Sequence, residues 1–231
     1  MILKNKNIST RREFVIGSGS AAIGLGVLNQ AKSMTNSSNS LALAEDKRSE
    51  LVNLLSSLIE IRSQTGESAD KAQLLVNNYL SDLPYRIEKS TDRPSLYRNH
   101  PEYMPPNPSG DGPFVNIVGW PENNMNKTSA IFSHIDTHTE DSGWETDPYT
   151  PIIKNSRMYG LGTSDDKGGV AAMLIAAKIL SENDKPLPVV MSLHGKGGGS
   201  RGSLPVFERI RKQNNNIQSV LYAHPAETGR G

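Results

Sequence analysis

The chain has 231 residues, 25 of them basic and 24 acidic, with 20 glycines, five histidines and no cysteine. That length holds one large domain or two small ones, and the nearly cancelling charge excludes a general field for nucleic acid or an anionic membrane. The lack of cysteine excludes a disulfide framework, thiolate zinc fingers and cysteine nucleophiles, so metal chemistry falls to His100, His134, His138, His194, His224 and the carboxylates.

Residues 1–44 read as an address and not as part of a folded domain. Lys4, Lys6, Arg11 and Arg12 form a basic start, and an uncharged run from Phe14 to Leu28 is too short and too rich in Gly and Ser to span a bilayer. Ser9-Thr10-Arg11-Arg12-Glu13-Phe14-Val15-Ile16 resembles a twin-arginine export signal, a receptor-read address and not an anchor. Ala42-Leu43-Ala44 is a small-residue cleavage site, with Ala31-Lys32-Ser33 a second candidate. Removing 1–44 takes five basic residues and one acidic residue, leaving 20 and 23, a formal charge of −3. The implied destination is periplasmic or extracellular, with no stable membrane anchor and no nucleic-acid partner.

Residues 45–231 form the expected domain. Leu51, Leu54, Leu55, Leu58, Ile59 and Ile61 recur at helical spacing from Asp46 to about Arg62, and a second helix covers roughly Ala69–Leu80. Leu83 to Gly112, with six prolines, reads as a long irregular surface excursion. Buried strands are predicted at 114–119, 129–133, 188–193 and 219–223, and helices at 168–181 and 204–213. The alternation predicts an α/β fold, a mixed sheet flanked by helices.

The chemistry lies between Ser133 and Gly169. His134-Ile135-Asp136 follows a strand directly, at the sheet edge where α/β folds place ligands. In extended chain the two side chains share a face, and a carboxylate there fixes the tautomer of a metal-bound imidazole. Taken alone, such a pair is as readily a surface pair. Tyr159-Gly160-Leu161-Gly162-Thr163-Ser164-Asp165-Asp166-Lys167-Gly168-Gly169 is a tight turn that sets two aspartates ahead of a helix. By itself it is equally a glycine-rich turn with an N-capping aspartate.

Together with Trp144-Glu145-Thr146-Asp147-Pro148-Tyr149-Thr150-Pro151 between them, the order and spacing resemble the zinc aminoacylase / carboxypeptidase G / succinyl-diaminopimelate desuccinylase family. The likeness covers Phe114 to Gly231, and the helices at 46–80 are compatible with it. It implies a zinc-exopeptidase-like catalytic domain that cleaves an amide bond beside a carboxylate, on substrates of the N-acyl amino acid or dipeptide type. His134 matches a metal ligand, Asp136 the acid that orients it, and Asp165 the aspartate that bridges two metals. The remaining ligand of the first metal, a glutamate before proline in the family, reads here as His224-Pro225, with Glu227 a substitute. His134, Asp165 and His224 plus one open position make a catalytic zinc pattern, implying one zinc per chain, with cobalt or manganese as alternatives.

The resemblance also breaks. The family's Glu-Glu pair, whose first member is the general base, falls on Lys196 and Gly197, although the following Gly199-Ser200-Arg201-Gly202 turn is present. His194 stands close by and has a pKa suited to proton transfer; it is equally a strand-end histidine with no task. Gly195–Gly202 lacks the spacing of a phosphate loop but is able to hold a substrate carboxylate. The second metal's histidine and the family's lid and dimerisation domain have no counterpart before Gly231, so the catalytic domain is read as incomplete at its C-terminus and no dimer partner is expected. The alternatives to a hydrolase are a degenerate member that binds a metal or an acidic small molecule without turnover, and an inactive fragment.

Overall fold

The computed structural model describes residues 14–15, 35–64, 66–103, 113–122, 129–194, 202–213 and 216–224. Its centre is a five-stranded sheet of β2 (Tyr85–Asp92), β3 (Phe114–Pro121), β7 (Val189–Leu193), β4 (Ser129–His134) and β8 (Ser219–Tyr222), in that spatial order. β2 and β7 run antiparallel to β3, whereas β4 is parallel to both β7 and β8. The sheet is therefore mixed, and its parallel half ends at the residues of chemical interest. This is the expected fold class.

Alternation along the strands assigns the two faces. Val115, Ile117, Ile131 and Val190 point toward α2 (Arg48–Glu60), α3 (Gly66–Ser81) and α4 (Lys167–Glu182), forming the larger core. Val118, Trp120, Ala130, Val189, Met191 and Leu193 point the other way, onto α5 (Ser203–Lys212). With apolar partners on both sides, all eight residues of β3 are buried, which is why the strand reads as a nearly continuous hydrophobic run. A buried glutamine ties the layers together: Gln73 Nε2 donates to the carbonyls of Val115 and Ser192, at 3.1 and 3.0 Å.

The expected irregular stretch at 83–112 is corrected over its first part. Tyr85–Asp92 is an eight-residue edge strand paired with the whole of β3. Its polar sequence hid it, because Glu88, Ser90 and Asp92 form one row that receives a single cation. Arg209 of α5 donates to Glu88 Oε1 at 3.0 Å, to Asp92 Oδ1 at 3.0 Å and to Ser90 Oγ at 2.8 Å. A short 3-10 turn at Pro94–Tyr97 follows, and residues 104–112 lie outside the described residues.

A second, small sheet joins β5 (Ile152–Lys154) and β6 (Arg157–Tyr159) to the two-residue β1 (Phe14–Val15). Its hairpin turns at Asn155 and Ser156, both with positive φ, 52° and 59°, the backbone of a two-residue turn that suits the strand twist. Helix α1 (Thr35–Asp46) crosses the expected boundary at residue 44, and Leu43 and Ala44 pack against the larger core. Among the described residues no helix is long and apolar enough to cross a membrane.

Candidate metal centre

Three elements deliver the site. His134 is the last residue of β4, whose backbone continues past the strand as Ile135 N–H donates to Leu193 O at 2.9 Å. On the other side, Ala223 N–H donates to Phe132 O at 2.8 Å, which carries His224 up beside His134. Asp165 arrives on the glycine turn ahead of α4, where Gly162 has φ +89°, a left-handed conformation that glycine adopts without strain.

The first turn of α4 lies close to the end of β8. A Cβ placed on Gly169 would stand 1.8 Å from the carbonyl oxygen of Ala223 and 2.4 Å from Asp166 Oδ1. Only glycine permits this approach, so Gly169 sets how near Asp165 comes to His224.

His134 Nε2 is 3.1 Å from Asp165 Oδ1, and His224 Nε2 is 3.7 Å from the same oxygen. One ligand atom from each of His134, Asp165 and His224 lies within 4.8 Å of the others. The structure thus brings together the three residues that the sequence singles out as metal ligands. His134 is buried, Asp165 is partly buried and His224 lies at the mouth, its side chain 37% exposed.

Asp136 is also where the motif puts it, with one refinement. His134 Nδ1 lies 3.0 Å from the backbone carbonyl of Asp136 and 3.4 Å from its Oδ1. Both are acceptors, so Nδ1 carries a proton and Nε2 is the atom aimed at Asp165 and His224. Burial opposes charge on this ring, but the bonds to Asp136 and Asp165 and the charge of Asp166 outweigh it and raise His134 to about 10.

Asp166 is a residue that sequence reading left without a role. Its Oδ2 accepts the Ser133 hydroxyl at 2.8 Å and the His134 backbone N–H at 3.4 Å, bracing the aspartate turn against β4. Burial raises its carboxyl to about 7, against the opposing influences of charged His134 and the Ser133 bond. Lys167 next to it is fully buried, donates to Ile61 O at 2.6 Å, and is lowered by burial to about 7. Ser133 and Asp166 sit in the right motif, but nothing in their spacing tells a brace from a ligand.

His194 takes a different place. It follows β7, buried, with its ring stacked on Phe114 at 4.2 Å between centroids and its backbone N–H donated to Asn116 Oδ1 at 2.8 Å. It is not in the group formed by His134, Asp165 and His224. Asn116 also donates to Gly202 O at 3.3 Å, so one buried amide grips both ends of the segment containing Lys196, Gly197 and Arg201. Residues 195–201 themselves, and Glu227, lie outside the described residues.

The donors fit a divalent transition-metal ion. Two imidazole nitrogens and a carboxylate oxygen are a set that zinc accepts, and the Asp136 partner holds His134 in the donating tautomer. A mixed α/β sheet with such donors converging at its C-terminal edge is the architecture of a zinc-exopeptidase-like catalytic domain. Comparison with known proteins points the same way: the model of Peptidase family M20/M25/M40 matches residues 130–230.

The chain is 28% identical over 172 residues to N-formyl-4-amino-5-aminomethyl-2-methylpyrimidine deformylase of Bacillus subtilis (strain 168), covering 71% of this chain and 37% of that protein. It is 34% identical over 95 residues to succinyl-diaminopimelate desuccinylase of Helicobacter pylori (strain G27), covering 40% of this chain and 24% of that protein. The crystal structure of human carnosine dipeptidase 1 superposes with a TM-score of 0.58 at 19% identity, over 77% of this chain and 39% of that one, a likeness of fold. The chain therefore spans less than two fifths of the length of these proteins.

Proposed function

We propose that this chain provides the metal centre of an amide hydrolase that acts on small acyl-amino-acid or peptide substrates. The observation that carries the reading is the convergence of His134, Asp165 and His224 at the sheet edge, inside a stretch that the model of a peptidase family matches. His134, Asp165 and His224 would hold a zinc ion, which when bound would supply Lewis-acid polarisation of a carbonyl and acidify a water. The chain's own residues do the rest: Asp136 holds the His134 tautomer, Asp166 and Ser133 fix the turn that presents Asp165, and His224 at the mouth lies nearest solvent. His194, stacked on Phe114, is kept as a proton-transfer candidate with an unassigned path. Without the family's glutamate base, turnover is expected to be slower by about 10²–10⁴-fold.

The basic, uncharged-core and small-residue pattern of 1–44 supports export by the twin-arginine route to the periplasm or beyond. N-terminal sequencing of protein from the envelope fraction checks it; an intact Met1 there speaks against it.

The metal reading is tested by native mass spectrometry and calorimetric zinc titration of the full chain. One zinc per chain is expected, with affinity lowered by more than about 100-fold in His134→Ala and His224→Ala, since even outer-shell losses cost 10–100-fold. Turnover of N-acyl amino acids that disappears with the zinc and with His134→Ala completes the case. Zinc binding of equal strength in both variants would overturn it.

A further inference from the structure

Beside the metal centre, on the α5 side of the sheet, lies a cleft of about 380 Å³ whose wall includes His134. The remaining wall is mostly carbon. Phe132 stacks on Tyr222 at 4.4 Å and meets Phe207 edge-on at 5.3 Å, and Leu193 and Leu204 close the floor. Alternation explains the placement: Phe132 and His134 lie two residues apart on β4 and so share a face, and Tyr222 is the in-register partner of Phe132 on β8. The aromatic surface and His134, one of the three metal donors, therefore share one lining.

The polar rim is acidic in type. His100 Nε2 stands 3.5 Å from Glu208 Oε1, and Glu102 completes that end. Arg211 engages Glu208 from outside the cleft through two bonds of 2.9 and 2.8 Å. Among the described residues the lining carries two carboxylates, Glu102 and Glu208, which set like charge at the rim against a second carboxylate on a ligand.

We infer that this cleft is the subsite for an apolar, aromatic-sized group next to the scissile amide, and that it disfavours an acidic group there. The inference rests on the metal reading given above, since the metal fixes the reacting end of the ligand beside His134. It deepens that reading by naming the substrate flank: an aromatic or bulky aliphatic acyl or side-chain group, not a dicarboxylic one.

The test uses zinc-loaded full-length protein and calorimetric binding of three hydroxamates, which anchor on a metal without needing turnover. Acetohydroxamate reports the metal anchor alone, 3-phenylpropionohydroxamate adds a ring, and the monohydroxamate of succinic acid adds a carboxylate. Burying a phenyl group corresponds to about 10- to 100-fold tighter binding than acetohydroxamate, whereas the succinic compound is expected to gain nothing. Phe207→Ala should cut the phenyl advantage several-fold while acetohydroxamate binds as before. Equal binding of phenyl and methyl compounds, or preference for the carboxylate, overturns this inference and leaves the metal reading intact. If acetohydroxamate fails to bind, both fall. The wild-type comparison decides the matter even where Phe207→Ala does not fold.

Discussion

Replacing Gly169 with alanine tests whether the approach of α4 to β8 builds the site. The added methyl would lie 1.8 Å from Ala223 O, about 1.2 Å inside the 3.0 Å that real Cβ contacts respect. The obstacle is backbone just past β8, held by the Ala223 N–H bond to Phe132 O, so it cannot rotate aside. Overpacking of this kind costs about 1–3 kcal/mol, while alanine's helix preference returns at most about 1 kcal/mol. A net loss of roughly 1–2 kcal/mol is expected, or about 2–8 °C in Tm for a chain of this size. The relief movement separates Asp165 from His224, and metal sites tolerate only about 0.2 Å in ligand distances, so zinc affinity should fall by at least about tenfold. Gly143→Ala is the control, since a Cβ there meets nothing within 4 Å. Urea unfolding of the zinc-free protein and zinc calorimetry on both variants give the answer. If Gly169→Ala matches Gly143→Ala in both, the close-approach argument is wrong.

Further outcomes follow from the same geometry. Asp136→Ala should weaken zinc binding about 10- to 100-fold while leaving the fold intact, because it removes a carboxylate that orients His134; unchanged affinity would assign the orienting role to the backbone carbonyl alone. Asn116→Leu strips the His194 N–H and the Gly202 carbonyl of a buried partner and should destabilise by about 1–3 kcal/mol, read by urea unfolding. Glu50 accepts Lys178 Nζ at 2.6 Å and Tyr79 OH at 2.9 Å, tying α2 to α4 and α3. Burial pushes its carboxyl up, but those bonds and the Lys178 and Lys47 charges prevail and lower it below 4.5. A lowered carboxylate stabilises the fold above its unfolded value and loses that contribution as pH falls. The stability gap between wild type and Glu50→Gln should therefore be about 1 kcal/mol near neutrality and shrink below about pH 4.5; a gap that widens in acid would refute the assignment.

Much of the frame was legible from residue order. β3, β4 and β7 announce themselves because strands covered on both faces must be apolar throughout, and α4 because its first turn is glycine and the rest small or aliphatic. His134, Asp136 and Asp165 were legible because they sit in local motifs, within two or three residues of a strand end or a helix start. His224 was found only through the family resemblance; the register of β8 on β4 is what brings it to His134. β2 was missed, since its polar row makes sense only once Arg209, 117 residues from Asp92, is in place. The β5–β6 hairpin was missed as well, its turn resting on Asn155 and Ser156 and not on a glycine. Nor does local pattern join His100 and Glu208 to Phe132 and Tyr222 around one cleft. Motifs record chemistry that neighbouring residues perform together, whereas the wall of a cleft comes from strand alternation and helix docking. Those are long-range facts that no window of the sequence contains.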